Sequence, residues 1–463
     1  MTEQQKIRRT LNDWLVHAEW LSTLPRTSGL ARMREMITRL GIHFNMPIIM
    51  VGGTNGKGST VTYVGEIAQA AGLKTALYTS PHVEHFTERA RIDGKEVSEN
   101  ELIAALARVE AARDDLPLTY FEFTTLGILL TFESAHPDLV VLEIGLGGRL
   151  DAVNALDPTV SVFTSIGIDH TAILGATREA IAYEKAFILR AGCYGICSDP
   201  NPPETLLAYA AEIGAQLLCL GKDFSLQSKM HTDGTRTVEL VVEGHAPLVL
   251  HPGLEGENQY RNAAAAVMAL RALAKTVNDK RFDFSDEVIN RGLRKARLTG
   301  RFERISMNPC LTLLDVGHNP EAAEVLAKNL RQSARSGERT LAVVGMLTDK
   351  DREGVLRRVA PEITEWFCTT LPGPRGGSAE TLAKCLYQIG VSPQNVALAT
   401  HTAQAFEMAR SRAKALSMQS SDPVRILIFG SFHTVEEALK VFAREASPKN
   451  SETDRRKKKA PVA

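Results

Sequence analysis

"VGGTNGKGST", residues 51–60, continues the apolar run "MPIIMV" (46–51) and leads into "VTYVGEIAQAAGLK", which has helical periodicity and a glycine stop. A buried strand that ends in glycines and a lysine and then turns into a helix is suited to an anion. Glycines let backbone N–H groups converge, the helix adds its positive end, and Lys57 adds a full charge. The segment departs twice from the phosphate-loop pattern G-x-x-x-x-G-K-[ST]: Val51 replaces the first glycine, and Gly58 separates Lys57 from Ser59. The physical requirement is still met. A nucleoside triphosphate is the expected ligand, with Ser59 or Thr60 in reach of magnesium. The competing reading, a glycine-rich turn with a solvated lysine, does not account for the flanking strand and helix.

Outward from this loop, β-rich runs alternate with helical stretches. "KTALYT" (74–79), "DLVVLEIG" (138–145) and "TVSVFTSIG" (159–167) read as buried strands, and "FEFTTLGILLTFESAHP" as a helix between them. Such alternation predicts an α/β fold with a mostly parallel sheet covered on both faces. A second series, "LTLLDVG" (311–317), "TLAVVGML" (340–347), "EWFCTTL" (365–371) and "RILIFGS" (425–431), predicts another α/β unit, with the boundary near residue 295. The stretch 215–252 reads as antiparallel ribbon, and "NQYRNAAAAVMALRALAK" as a helix closing the first unit. Residues 447–463, which include "DRRKKK", have little to bury and are expected to form a disordered basic tail.

A chain of 463 residues exceeds the roughly 250–300 that one core supports, in keeping with two domains. The 54 basic and 54 acidic residues cancel, so no global field favours nucleic acid or an anionic membrane. No apolar run approaches the roughly 18 residues of a membrane span, and the first residues lack the apolar centre of a secretion signal, which predicts a cytoplasmic protein. Cys193, Cys197, Cys219, Cys310, Cys368 and Cys385 are scattered and are expected to be free thiols.

In open α/β sheets, ligands sit beyond the carboxyl ends of the strands. The polar residues there are Ser80 and His82 in "TSPH", Glu143 in "LEIGLGGRLDA", and Asp169 with His170 in "IGIDH". Hydroxyl, carboxylate and imidazole together suit divalent cations beside a triphosphate, although each residue alone has an ordinary structural reading. Lys185 is less expected. In "TREAIAYEKAFILR" helical spacing sets it with Ile181, Ile188 and Leu189 on the buried side. It must snorkel, pair with an acid such as Glu184, or lose its proton, and a neutral amine can also take up carbon dioxide as a carbamate.

Taken in order, "GTNGKGST", "TSPHV", "FEFTT", "LEIGLGGRLDAVN", "SIGIDHT", "EKA", "LTGRFE", "DVGHNP" and "VVGMLTDKD" closely resemble the folylpolyglutamate synthase and dihydrofolate synthase family of the Mur ligase superfamily. The match runs from about residue 15 to 440. The resemblance implies Mur ligase architecture: an N-terminal P-loop ATPase-like domain over residues 1–295 and a smaller C-terminal Rossmann-like α/β domain over 296–446. It implies an ADP-forming ligase in which ATP activates a carboxylate and L-glutamate captures the acyl phosphate.

The resemblance also implies roles for single residues. Asn55, Gly56, Lys57, Gly58 and Ser59 hold ATP, together with Asn262, Arg301 and Asp315 from farther along the chain. Ser59, Ser80, Glu143 and His170 hold magnesium, two ions in all, and Lys185 falls on a carbamylated lysine, which accounts for its helical position. Lys57, Lys185, His170 and Arg301 form the catalytic set. Thr119, Tyr120, Phe121 and Glu122, with Leu150, Asp151 and Ala152, match the pterin pocket that takes dihydropteroate or a reduced folate. His318 is a candidate base for the attacking amine, with a structural role at its turn as the alternative. Two positions depart from the pattern: Asn258 stands where many relatives have histidine, and "RTSGLARM" (26–33) is a loose version of the family segment.

Two other functions fit parts of the pattern. A GTPase-like switch would need a guanine-reading N-K-x-D segment, which "LTDKDR" does not supply. A cell-wall precursor ligase would need a sizeable domain before the phosphate loop, where about fifty residues stand. A monomeric enzyme acting on small molecules is the expected form, either bifunctional or a folylpolyglutamate synthase alone.

Overall fold

The strand before the phosphate loop sits at the centre of the first sheet because both its faces are apolar. In β1 (Ile48–Gly52), Ile48 and Met50 enter the core on one face and Ile49 and Val51 the core on the other, so every residue is buried. That is the pattern of a strand covered on both sides by helices. The computed structural model describes residues 9–24, 29–233 and 236–446. The expected basic tail at 447–463 lies outside the described residues, as does part of the "RTSGLARM" segment.

Two helices, α1 (Leu11–Leu21) and α2 (Ala31–Leu40), precede β1. Then follow α3 (Lys57–Ala70), β2 (Thr75–Tyr78), β3 (Ala90–Ile92), β4 (Lys95–Glu96), α4 (Glu99–Arg113), α5 (Tyr120–Ala135), β5 (Leu139–Glu143) and β6 (Val160–Phe163). The first lobe continues with α6 (Thr171–Leu174), α7 (Arg178–Ala186), β7 (Tyr194–Cys197), α8 (Glu204–Glu212) and β8 (Gln216–Cys219). The eight strands lie in the order β4-β3-β2-β5-β1-β6-β7-β8, parallel from β2 to β8 with an antiparallel edge of β3 and β4.

The antiparallel ribbon begins later than the sequence suggests. Gln216–Cys219 pairs in parallel with β7 and forms the edge of the main sheet. Only β9 (Phe224–Met230), β10 (Arg236–Val242) and β11 (Leu248–Val249) form the separate three-stranded sheet. Behind it, α9 (Asn258–Val277) buries the small side chains Ala263–Ala266, Ala269 and Ala272, and α10 (Asp286–Lys295) lies against α3.

The second lobe holds β12 (Glu303–Ser306), β13 (Leu311–Asp315), α11 (Pro320–Ser333), β14 (Arg339–Val344), α12 (Arg352–Val359), β15 (Glu365–Thr369), α13 (Ala379–Gln388), β16 (Val396–Ala399), α14 (Thr402–Gln419), β17 (Val424–Phe429) and α15 (Phe432–Ala446). Its sheet runs β12-β13-β17-β14-β15-β16, antiparallel only at β12. Leu341 and Val343 of β14 face one core, Ala342 and Val344 the other. All six cysteines are free thiols. No helix among the described residues is long and apolar enough to cross a membrane.

Candidate active site

The carboxyl ends of β1, β5 and β6 in the first lobe face the end of β13 and the start of α11 in the second, and one cavity lies between them. Two glycines shape its floor. Gly53 (φ +143) and Gly56 (φ +94) take backbone conformations that side chains disfavour. A Cβ on Gly53 would stand 1.8 Å from Thr164 Oγ1, and one on Gly56 2.5 Å from Asn262 Oδ1. Helix α3 starts at Lys57, so its first amides and its positive end point into the loop. Lys57 Nζ lies 3.9 Å from Glu143 Oε1 and 3.4 Å from the Thr54 carbonyl. The hydroxyls of Ser59 and Thr60 are buried and have no hydrogen-bond partner among the described residues. Buried polar groups are nearly always paired, and of these two Ser59 lines the cavity, which places its hydroxyl to meet a ligand atom or an ion.

Glu143, at the end of β5, accepts the N–H of Ser80 at 3.1 Å. Burial pushes its carboxyl up from the ordinary value, and Lys57 pulls the other way. A hard cation would relieve that strain, and hydroxyl plus carboxylate oxygen is the donor set such ions prefer. The described residues contain no cluster of three or more His, Cys, Asp or Glu, so protein alone does not complete a cage. The orphan Ser59 hydroxyl, Ser80 and Glu143 fit magnesium shared with phosphate oxygens, which is how that ion is usually held. His170 lines the same cavity, at the start of α6 in a left-handed conformation (φ +51). Burial lowers its pKa, which favours the neutral imidazole that a metal needs. His82 is turned to another use, as the acceptor of the Arg89 Nε–H at 2.9 Å.

Lys185 is 4% exposed, and its Nζ donates to the Gly53 carbonyl at 2.8 Å. Helix α7 ends at Ala186, so Ile188 and Leu189 lie beyond it rather than one turn up the same face. Glu184 does not pair with Lys185; it is taken by Arg149 at 2.8 Å. Burial, reinforced by Lys57, brings the Lys185 pKa down to about 7. Of the alternatives open in the sequence, loss of the proton is the one the surroundings favour.

From the second lobe, Arg301 enters the cavity with its guanidinium 5.4 Å from the Phe432 ring centre, and burial lowers its pKa. Asp315 accepts the N–H groups of Phe302 at 3.0 Å and Gly317 at 2.7 Å. Asn262, on α9, donates to Gln259 Oε1 at 3.1 Å. The loop residues Asn55 to Ser59 and the residues Ser80, Glu143, His170, Lys185, Asn262, Arg301 and Asp315 are thus brought to one cavity.

With that geometry in place, comparison with known proteins is specific. The Mur ligase middle domain matches residues 51–270, and the Mur ligase glutamate ligase domain matches residues 300–432. The dihydrofolate synthase/folylpolyglutamate synthase of Escherichia coli (strain K12) is 39% identical over 436 residues, covering 93% of this chain and 95% of that one. The chain belongs to the dihydrofolate synthase/folylpolyglutamate synthase family of Mur ligases. Among solved structures, the E. coli enzyme in complex with DHPP and ADP superposes with a TM-score of 0.84 at 37% identity, covering 95% of this chain and 99% of that one. The bifunctional enzyme of Yersinia pestis complexed with AMPPNP and Mn ion gives 0.82 at 37% identity, covering 94% and 99%.

In this Mur ligase, the seven residues expected at a pterin pocket stand apart from the inter-lobe cavity. Of the seven, Phe121 touches Gly145 and Asp151 touches Leu146, two residues of the cavity wall. Thr119 caps α5 and exchanges hydrogen bonds with Glu122, at 3.1 and 2.8 Å. The Glu122 carboxylate also pairs with Arg32 at 2.8 Å, and the Tyr120 N–H donates to Ser22 Oγ. Phe121 stacks on Tyr78 and lies against Gly145, where a Cβ would come 2.5 Å from its Cζ. Asp151 accepts the N–H of Leu146 at 2.8 Å and of Val153 at 3.0 Å, Ala152 is buried, and Leu150 is exposed. Burial pushes Asp151 up to about 6. The Asp151 carboxylate thus fixes the wall at Leu146, while that of Glu122 is occupied by the Thr119 amide and Arg32.

Sequence reasoning missed the contacts that join the lobes. Asn55 Nδ2 donates to Glu321 Oε2 at 2.8 Å, Asn319 Nδ2 to Asp169 Oδ2 at 3.2 Å, and Lys350 Nζ to Asp169 Oδ1 at 2.7 Å. His318 Nδ1 lies 2.9 Å from the Val316 carbonyl, and Nε2 3.5 Å from Asp169. Burial alone would raise the Asp169 carboxyl, but the hydrogen bonds from His318 and Lys350 hold it far below the ordinary carboxylate range. The "LTDKD" motif was the only trace of Lys350, and nothing in the chain order announces that residues 169, 319 and 350 meet.

Proposed function

We propose that this chain is an ATP-dependent ligase that joins L-glutamate to 7,8-dihydropteroate and to reduced folates through an acyl phosphate, releasing ADP. The observation that carries this reading is one cavity between two lobes, lined by a phosphate loop, Arg301, Glu143 and the buried Lys185. The relatives named for both synthase activities support the choice of substrates.

The loop amides and Lys57 orient the γ-phosphate toward the carboxylate of the acceptor, whose oxygen attacks phosphorus as ADP leaves. Lys57 and Arg301 offset charge on the transferring group, the largest contribution such sites make. The neutral amine of glutamate then attacks the acyl carbon, the amide forms, and phosphate departs. Magnesium, held by Ser59, Ser80, Glu143 and His170, supplies positive charge to the phosphate oxygens. Lys185 is a carbamylation site: its neutral amine adds to carbon dioxide, an N–C bond forms, and a proton is lost to leave an anion. Thr119, Tyr120, Phe121 and Glu122 with Leu150, Asp151 and Ala152 take the pterin, beside the inter-lobe cavity rather than in its lining. The protein acts as a cytoplasmic monomer, with its lobes divided near residue 295.

Purified protein with ATP, magnesium and glutamate is offered dihydropteroate or tetrahydrofolate in turn, and ADP and amide product are followed together. Both acceptors should yield product. Success on the reduced folate with failure on dihydropteroate would leave only a folylpolyglutamate synthase, and ADP without amide would sink the ligase reading.

A further inference from the structure

A second cavity opens on the first lobe, lined from α2, the turn after β5, the end of α7 and α8. It shares no lining residue with the inter-lobe cavity, and none of the seven residues matched to the pterin pocket lines it. Its volume is about 340 Å³, within the range of small-molecule sites. Phe187 and Tyr209 form an aromatic wall, with ring centres 4.7 Å apart and planes 33° from parallel. Both are half-buried, and Ile213 extends the apolar surface.

Three arginines line the same space, and they are engaged to different degrees. Arg190 is used up by the protein: Nε donates to Asp157 at 2.6 Å, and its other N–H groups go to the carbonyls of Phe187, Asn154 and Leu156. Arg149 lies with its guanidinium 5.7 Å from the Phe187 ring centre and donates Nε and Nη2 to Glu184, at 3.1 and 2.8 Å. Its Nη1 has no partner among the described residues. Arg34, exposed on α2, makes no side-chain hydrogen bond or ion pair among the described residues, and the neighbouring Glu35 is taken by Arg39.

The charges narrow the ligand. Asp157 and Glu184 offset two of the three cations, so one positive charge is left, which suits a carboxylate better than a phosphate dianion. A carboxylate also matches the planar N–H donors of a guanidinium. An exposed ion pair alone is worth little, so the anion must arrive on a body that buries apolar surface. The two rings and the flat guanidinium beside them offer that to another ring.

We propose that this cavity binds an aryl monocarboxylate, the carboxylate meeting Arg34 and Arg149 Nη1 and the ring lying against the wall of Phe187 and Tyr209. The site stands independently of the ligase reading. Two sources carry this chemistry: a small free aromatic acid, or the acceptor of the proposed reaction, since dihydropteroate ends in a benzoate.

Ligand-observed NMR titrations of the full chain give dissociation constants for 4-aminobenzoate, its neutral amide and acetate, in the wild type, Arg34→Gln, Arg34→Lys and Tyr209→Ala. The wild type should bind the acid about 10-fold tighter than the amide, the low end for a hydrogen bond to a charged group, and acetate more weakly than the acid. Arg34→Gln should bring acid and amide together, Arg34→Lys should keep part of the gap, and Tyr209→Ala should weaken both ring ligands alike. A gap unchanged in Arg34→Gln would put the acid elsewhere, the catalytic acceptor pocket included, and overturns the proposal. So does a wild type that does not tell acid from amide. Arg34 is exposed, so its variants should fold and ligate glutamate as the wild type does; if Tyr209→Ala fails to fold, they decide alone. Dihydropteroate separates the sources: one equivalent fewer bound by Arg34→Gln than by the wild type makes the acceptor itself the ligand, and equal numbers with Arg34-dependent binding of 4-aminobenzoate leave the small acid. A wild type that makes no amide would refute the ligase reading and leave these titrations standing.

Discussion

The amine of Lys185 is buried against a backbone carbonyl, and its pKa is brought from 10.5 to about 7. Between those values the unfolded chain holds a proton that the folded chain has released, so stability must rise with pH across that window. In bicarbonate-free buffer the wild type should therefore gain on Lys185→Met from pH 7 to 9, by at most about 1.4 kcal/mol per pH unit, read from denaturant unfolding at each pH. With bicarbonate supplied, a carbamate carbon signal should appear in the wild-type NMR spectrum and be missing from Lys185→Met. Lys57 is tested by Lys57→Ala, which should lower turnover by about 10²- to 10³-fold while near-native unfolding is retained. Activity at the native rate in that variant would refute the phosphate-loop reading.

Helix α3 carries Lys57 and Ser59, and α10 crosses it at Gly292. A Cβ at 292 would meet Ile67 Cα at 2.4 Å, Ile67 N at 2.6 Å and the Glu66 carbonyl at 2.7 Å, all backbone atoms with no side chain to yield. Helix propensity favours alanine by about 1 kcal/mol, but overpacking of this kind costs about 1–3 kcal/mol. Gly292→Ala should thus be destabilised in urea, with weaker nucleotide binding as α3 shifts; a stabilised variant would show that the helices can separate freely. The elements themselves were largely readable, because β1 and β14 are apolar on both faces and α5 and α11 repeat at helical spacing. The ends of elements were less so. Gln216–Cys219 is apolar enough for either a ribbon or a parallel edge, and only its pairing with β7 decides. Lys185 was readable as buried from its spacing, but for a partly wrong reason, since α7 stops one residue later and the Gly53 carbonyl comes from 132 residues away.

Across the whole molecule, the lobes meet through Asp169, which Lys350 and His318 hold ionised. Lys350→Ala would leave a buried carboxylate without its cation, at about 3 kcal/mol at neutral pH. Because the folded-state pKa of Asp169 is depressed, its contribution is present above the ordinary value of 3.8 and is lost as pH falls below it. The gap between wild type and Lys350→Ala, measured by unfolding and by the radius of gyration in solution scattering, should be full at pH 7 and narrow under strong acid. A gap of constant size would mean that Lys350 acts by packing alone. Contacts of this kind lie outside what chain order reveals, since they join residues 181 positions apart. One apolar contact goes further. Val83, on the loop after β2, is buried not in its own lobe but in an apolar cluster of the other, which includes Leu314, Val316 and Val435. A gene split at the boundary would therefore yield a C-terminal fragment with a vacancy in its interior and an N-terminal fragment with a stranded apolar plug. The two pieces should be soluble when co-expressed and prone to aggregate when made alone.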